Sequence, residues 1–313
     1  MTVAESTTRR LHFEDVRKSY GSTPAVAGLS LSVHSGEIVG LIGPDGAGKT
    51  TAMRIACALL LPDGGTIEVM ERDVVRHPMT AKHHIGYMPQ RFSLYPDLTV
   101  AENLRFFADL YEVPAKKRAE QEQRLMQFSR LEPFRNRRAG KLSGGMKQKL
   151  ALSCTLIHTP EILILDEPTT GVDPLSRQEF WTILRELASR GHALLVSTPY
   201  MDEAELCDRV ALMYRGRVLA AGTPSEVTGQ FRRRLLEITG RDAATTFRRL
   251  SSEIVGDIRV NRFGERVHVV YDTDEQETWV RRQIKEADIT VRAVQPTIED
   301  VFVERMGRGE ELA

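Results

Sequence analysis

Glu37-Ile38-Val39-Gly40-Leu41-Ile42 runs directly into Gly43-Pro44-Asp45-Gly46-Ala47-Gly48-Lys49-Thr50, which carries the pattern G-x-x-x-x-G-K-[ST]. The apolar run reads as a buried strand. Thr51 to Leu61 reads as a helix, with Met53, Ile55, Ala56, Leu59 and Leu60 apolar at helical spacing. Between them the glycines let the backbone curl so that its N–H groups face inward. Those donors, with the start of the helix at Thr50 and Thr51, hold phosphate oxygens. In such a loop Lys49 reaches the β- and γ-phosphates and the Thr50 hydroxyl ligates Mg²⁺.

Composition sets the outer limits. The chain has 313 residues, enough for two domains with cores of their own. It holds 43 basic and 43 acidic residues, a balance that gives no general affinity for nucleic acid or anionic membranes. The basic clusters Arg135-Asn136-Arg137-Arg138 and Arg232-Arg233-Arg234 read as solvated helix ends. Cys57, Cys154 and Cys207 lack metal-ligand spacing, and an odd count argues against a disulfide framework, so a reducing compartment fits. No apolar run approaches the ~18 residues of a membrane span, and Met1 to Arg10 has no apolar signal core. Any membrane role is therefore expected to come through a partner.

The pattern changes along the chain. From Leu11 to Gln90 short β-rich runs alternate with turns at Ser19-Tyr20-Gly21-Ser22 and Pro62-Asp63-Gly64-Gly65. From Arg91 to His158 the period becomes helical, opening on the capping box Thr99-Val100-Ala101-Glu102. From Glu161 to Glu226 strands and helices alternate again. Ile162-Leu163-Ile164-Leu165 ends in Asp166-Glu167, and Ala193-Leu194-Leu195-Val196-Ser197 forms another buried strand. After Gly229 the order is strand Leu235–Thr239, helix Asp242–Ser251, strands Asp257–Val260 and Val267–Tyr271, helix Glu275–Ala287 and strand Thr290–Val294. That βαββαβ order is ferredoxin-like. The expected division is 1–228 for an α/β domain with a helical insert at about 91–158, and 229–313 for a small α+β domain.

Asp166 ends a buried strand, a suitable place for a carboxylate that holds Mg²⁺ through water. Glu167 beside it is placed to polarise a water that attacks a γ-phosphate. Leu142-Ser143-Gly144-Gly145-Met146-Lys147-Gln148 supplies a second anion site, because two glycines expose N–H groups at the start of the helix Met146 to His158. One nucleotide does not need two cradles. Two make sense if each site is shared between two copies of the domain.

The loop, the Ser-Gly-Gly turn and Asp166-Glu167-Pro168 together resemble the ATP-binding cassette of ABC proteins, over roughly Leu11 to Glu226. That resemblance implies a P-loop ATPase acting on ATP and Mg²⁺, with Glu167, Gln90 and Lys49 catalytic. Gly43 to Thr51, Ser143, Gly144, Gly145 and Asp173 contact nucleotide, and Thr50, Gln90 and Asp166 hold the metal. Tyr20 matches the aromatic that stacks on adenine, although it also reads as a plain strand-end tyrosine. Asp173 matches a loop that crosses the dimer interface and equally reads as a helix N-cap. The resemblance also implies a second nucleotide-binding domain, in a homodimer or with a related chain, and a transmembrane permease. Arg91-Phe92-Ser93-Leu94-Tyr95-Pro96 matches the seat of a permease helix, with a self-packed loop as the bland alternative.

Pro296-Thr297-Ile298-Glu299-Asp300-Val301-Phe302 resembles the closing motif of bacterial drug and antibiotic exporter ATPases, which pair with permeases of the ABC-2 class. The same spacing serves as a helix start with one apolar face. The expectation is a cytoplasmic ATPase subunit, peripheral on the inner face of the cell membrane, that closes on ATP and drives export. No nucleic-acid partner is expected.

Two residues depart from the family pattern. Asp45 stands where asparagine is usual. Pro199, in Ser197-Thr198-Pro199-Tyr200, stands where a switch histidine is usual. Proline offers neither a side-chain donor nor an N–H. Losing one such donor costs about 2.7–4 kcal/mol, or 10²–10³ in rate. A slower hydrolase sustained by Glu167 and Gln90 is the preferred reading. An ATP-binding regulatory switch with little hydrolysis is the alternative.

Overall fold

The computed structural model describes residues 8–91, 94–240, 243–253, 256–284 and 289–310. The chain divides into two compact units, Met1–Pro224 and Ser225–Ala313.

The first unit contains two sheets. β1 (Arg9–Tyr20) and β2 (Thr23–His34) form a long hairpin. β3 (Ile38–Ile42) is buried at every position, as a strand covered on both faces must be. The phosphate loop follows, then α1 (Lys49–Ala56). β4 (Gly64–Val69) and β5 (Arg72–Asp73) complete an antiparallel sheet of order β2-β1-β4-β5. α2 (Pro78–His84) leads to β6 (Ile85–Met88).

Three helices come next: α3 (Val100–Leu110), α4 (Ala115–Ser129) and α5 (Gly144–Leu156). Thr99 and Glu102 close the expected capping box on α3. The α/β pattern then resumes with β7 (Ile162–Asp166), α6 (Pro174–Ser189), β8 (Ala193–Thr198), β9 (Arg209–Tyr214) and β10 (Arg217–Gly222).

The second sheet has the order β10-β9-β3-β8-β7-β6, with β9 to β6 mutually parallel. Parallel registry aligns the strand ends. Ile42 lies opposite Thr198, Asp166 opposite Ser197, and Met88 opposite Leu165. The loops leaving β3, β6, β7 and β8 therefore emerge along one edge, where open α/β sheets bind their ligands.

The second unit begins in α7 (Pro224–Thr228) and holds β11 (Arg234–Thr239), α8 (Ala243–Ser252), β12 (Arg259–Phe263), β13 (Arg266–Tyr271), α9 (Asp274–Gln283), β14 (Thr290–Ala293) and α10 (Ile298–Glu310). Its antiparallel sheet has the order β12-β13-β11-β14. Leu236, Ile238, Val267, Val269 and Tyr271 pack with Leu250 of α8 and Val280 of α9. Strand alternation turns Glu237 and its cross-strand partner His268 the other way. There His268 Nδ1 meets Asp300 of α10 at 2.7 Å.

Several expectations shift. α1 stops at Ala56 rather than Leu61, because Ala58 turns left-handed with φ 53° and Leu59 is left exposed. Gly64 and Gly65, read as a turn, open β4, drawn into the ladder by β1. The strand expected at Asp257–Val260 lies at Arg259–Phe263. Phe92, Ser93, Asp242 and 285–287, named in the expected elements, lie outside the described residues.

Candidate functional site

A cleft of about 430 Å³ opens at the end of β3. Asp45 to Thr51 line it, with Ala25, Gln90 and Glu167. Gly48 has φ +103° and lies so close to β2 that a Cβ there would stand 2.0 Å from the Ala25 carbonyl oxygen. Only glycine lets the loop approach that closely. Gly46 also has positive φ but faces open space.

Lys49 is nearly fully buried, and its amine donates to the carbonyls of Gly43 at 2.7 Å and Pro44 at 3.0 Å. It also stands 3.4 Å from Glu167 Oε1. Gln90 Nε2 donates to Glu167 Oε2 at 2.9 Å. Cation, carboxylate and amide are thus preassembled across loops from three different strands.

Glu167 itself has φ +51°, an uncommon conformation for a residue with a side chain. Its N–H is held by Ser197 Oγ at 2.9 Å. Backbone strain of this kind persists where surrounding structure over-determines it, commonly at functional sites.

Asp166 is 1% exposed. Its Oδ1 accepts from Ser197 Oγ at 2.6 Å and from Thr50 Oγ1 at 3.2 Å, while Oδ2 is buried with no protein partner. An orphaned carboxylate oxygen beside a hydroxyl is a hard-oxygen donor pair that suits a magnesium ion. Among the described residues no three His, Cys, Asp or Glu side chains converge as a metal site. A cation here would take most of its remaining ligands from phosphate and water, as Mg²⁺ commonly does, with Gln90 also lining the cleft.

The other expected residues lie elsewhere. Tyr20 is at the exposed tip of the β1–β2 hairpin and does not line the cleft. Ser143 caps α5 by accepting from Met146 N at 3.3 Å, and neither it nor Gly144 or Gly145 lines the cleft. Ser143 and Gly144 are exposed, whereas a Cβ on Gly145 would collide with Ser176 at 2.5 Å. Asp173 caps α6 through Ser176 N at 2.9 Å. The glycine turn and the Asp173 loop therefore abut one another, away from the phosphate loop of their own chain.

Pro199 follows the end of β8. His192 sits at the opposite end of that strand, with Nδ1 on the Pro160 carbonyl, and burial lowers its pKa. It does not replace a switch histidine. The three cysteines are free and buried, and burial raises all three thiol pKa values, so they act as small apolar residues.

One buried residue escapes the sequence reading. Asn103 of α3 accepts from Tyr95 N and donates to the carbonyls of Tyr95, Leu98 and Thr99. It pins the loop before α3. A polar residue next to Leu104 on an otherwise apolar helix face was the available signal.

A glycine loop on the central strand, a strand-end Asp-Glu pair and a second glycine-started helix define a phosphate-loop α/β cassette. The ABC transporter family model matches residues 26–170. The chain is 42% identical over 287 residues to the probable multidrug ABC transporter ATP-binding protein YbhF of Escherichia coli, covering 91% of this chain. It spans 49% of that relative's length. It is 37% identical to the Nod factor export ATP-binding protein I of Paraburkholderia xenovorans, covering 95% of this chain and 97% of the relative. A solved ATP-binding subunit of an ABC transporter superposes with a TM-score of 0.63 at 31% identity, covering 71% of this chain and 93% of that one. A dimeric cassette in a post-hydrolysis state, bound to ADP and Pi, gives 0.61 at 25% identity, covering 68% and 98%. The chain belongs to the ABC transporter family.

Proposed function

We propose that this chain is the ATP-hydrolysing subunit of an exporter, working on the inner face of a membrane beside a separate permease. The observation that carries the reading is the split between two anion-binding features. Lys49, Thr50, Asp166, Glu167 and Gln90 converge in one cleft. The exposed turn Ser143-Gly144, at the start of α5, stands outside it.

Two chains arranged head to tail would let each turn cap the other's cleft. Ser143, Gly144 and Gly145 would then contact the γ-phosphate held by the partner, with Asp173 crossing between them. The loop N–H groups and Lys49 bind the phosphates, and Tyr20 stacks on the base. Asp166, Thr50 and Gln90 would hold Mg²⁺, which when bound would neutralise phosphate charge. Glu167, oriented by Gln90, takes the proton of the attacking water.

Beside the cleft lies a groove of about 290 Å³ lined by Gln90, Arg91, Leu94, Pro96, Ala139 and Gly140 among others. It shares Gln90 with the cleft, so a permease segment seated there would touch the catalytic amide directly. The terminal motif from Pro296 and the relatives named for drug and Nod factor export favour an ABC-2 class permease and outward transport. Among the described residues no helix is long and apolar enough to cross a membrane.

The test is closure. Glu167→Gln with ATP and Mg²⁺ should double in molar mass by light scattering. Ser143→Arg added to it should restore the monomer. A Glu167→Gln protein that stays monomeric at saturating ATP would overturn the shared-site reading.

A further inference from the structure

The segment after Pro199 holds a buried charge that the nucleotide site does not use. Glu203 lies in a short turn of 3₁₀ helix, Met201–Leu206, and is 1% exposed. Its Oε1 accepts from Thr169 Oγ1 at 2.8 Å. Thr169 is itself buried, two residues beyond Glu167 and in the loop that leads to Asp173.

Arg177 of α6 completes the arrangement. Its guanidinium approaches Glu203 Oε1 at 3.6 Å and Asp202 at 3.7 Å, and lies over the Tyr200 ring at 4.3 Å. The contact with Glu203 is loose. Both Arg177 Nε and Glu203 Oε2 are buried without a hydrogen-bond partner. A buried carboxylate left half satisfied is costly, so its retention calls for a reason beyond packing.

The topology supplies one. Glu167 and Pro199 leave the paired strands β7 and β8, and Ser197 of β8 already holds the Glu167 N–H. The hydrogen bond between Glu203 and Thr169 joins the same two segments a second time, beyond the strand ends. Arg177, through Glu203, Asp202 and Tyr200, ties the segment after Pro199 to the helix that Asp173 caps.

We propose that Glu203, with Thr169 and Arg177, forms a positioning tether that sets where Glu167 stands by fixing the catalytic loop to the segment after Pro199. Pro199 brings no side-chain hydrogen bond of its own, so beyond the Ser197 contact the tether carries the connection between the two segments. Glu203 does not line the nucleotide cleft and acts only through Glu167. The inference rests on the ATPase reading above.

The experiment is a double-mutant cycle in steady-state ATP turnover, using the full chain. Thr169→Val removes the hydroxyl with little change of shape, Glu203→Met removes the accepting oxygen at similar length, and Thr169→Ser restores the hydroxyl. Wild type and Glu167→Gln are measured first. Each of Thr169→Val and Glu203→Met should lower kcat roughly 10-fold with KM within about twofold, since displacing a catalytic group by a fraction of an ångström acts on the chemical step. The double variant should be no slower than the slower single variant, and Thr169→Ser should recover most of the rate.

A wild type with no Glu167-dependent turnover would overturn the ATPase reading and the tether together. Normal Glu167-dependent turnover, with Thr169→Val and Glu203→Met unchanged in kcat or strictly additive, would overturn the tether alone. A loss of melting temperature without a kcat change would also overturn it, because a purely structural pair behaves that way.

Discussion

Gly48→Ala should disable nucleotide binding, and the structure gives the scale. The new Cβ would stand 2.0 Å from Ala25 O, whereas ordinary contact begins near 3.4 Å, so loop or strand must yield by about 1.4 Å. Neither side is a flexible side-chain tip. The Ala25 carbonyl belongs to β2, and the loop is anchored by Ala47 N on Pro44 O and by Gly216 N on Ala47 O. The φ of +103° adds strain of roughly 1–2 kcal/mol for a residue with a Cβ. A shift of that size breaks loop N–H bonds to phosphate, worth about 1.5–3 kcal/mol each, so losing one or two costs roughly 10²-fold in affinity. Gly46→Ala is the internal control, since it also carries positive φ but meets nothing within 4 Å. Binding of a fluorescent ATP analogue should weaken by roughly 10²-fold in Gly48→Ala and only a few-fold in Gly46→Ala. Equal affinities in the two variants, with Gly48→Ala still folded by circular dichroism, would refute the steric argument.

Other outcomes follow from the same geometry. Asn103→Ala strips one buried partner from three carbonyls and one N–H, and should cost roughly 1–3 kcal/mol in denaturant unfolding. Amide exchange at 94–99 should quicken, and unchanged exchange would show that the loop is held by other means. Pro199→His should raise turnover by up to roughly 10²-fold, and an unchanged rate would place the missing switch function outside position 199. Burial alone would lower the pKa of His268, but Asp300 and then Glu237 outweigh it and raise the value above 6.5, with Arg266 and Arg292 also facing Glu237. The folded state therefore favours the imidazolium. Its stabilisation is complete below pH 6.5 and is lost as pH rises through the raised folded value. Thermal melts of the full chain at stepped pH should show this loss, and His268→Gln should flatten it. A wild-type profile that climbs over the same window would contradict the assignment.

The parts legible in the sequence are those governed by short-range rules. The phosphate loop, Asp166-Glu167 and the boxes at Thr99-Glu102 and Thr297-Asp300 each follow from residues within a few positions of one another. The buried runs of β3, β7 and β8 were equally plain, because strands covered on both faces are continuously apolar. The misses share a different cause. Nothing local announces that Ala58 adopts positive φ and ends α1, or that β1 draws Gly64 into a ladder across the sequence. α2, only seven residues long, is too short to show a period. Glu203 and Thr169 lie 34 positions apart, and their meeting depends on the registry of β7 with β8. The separation of Ser143 from the cleft likewise emerges only when the sheet edge and the start of α5 are placed together.

The central claim is that Glu167 hydrolyses ATP in the cleft formed by the phosphate loop. Its most direct test is phosphate release by the purified chain with ATP and Mg²⁺, set against Glu167→Gln under identical conditions. The account predicts measurable wild-type turnover that Glu167→Gln abolishes while ATP binding persists. Turnover that survives Glu167→Gln, or a wild type that binds ATP and releases no phosphate, would contradict it.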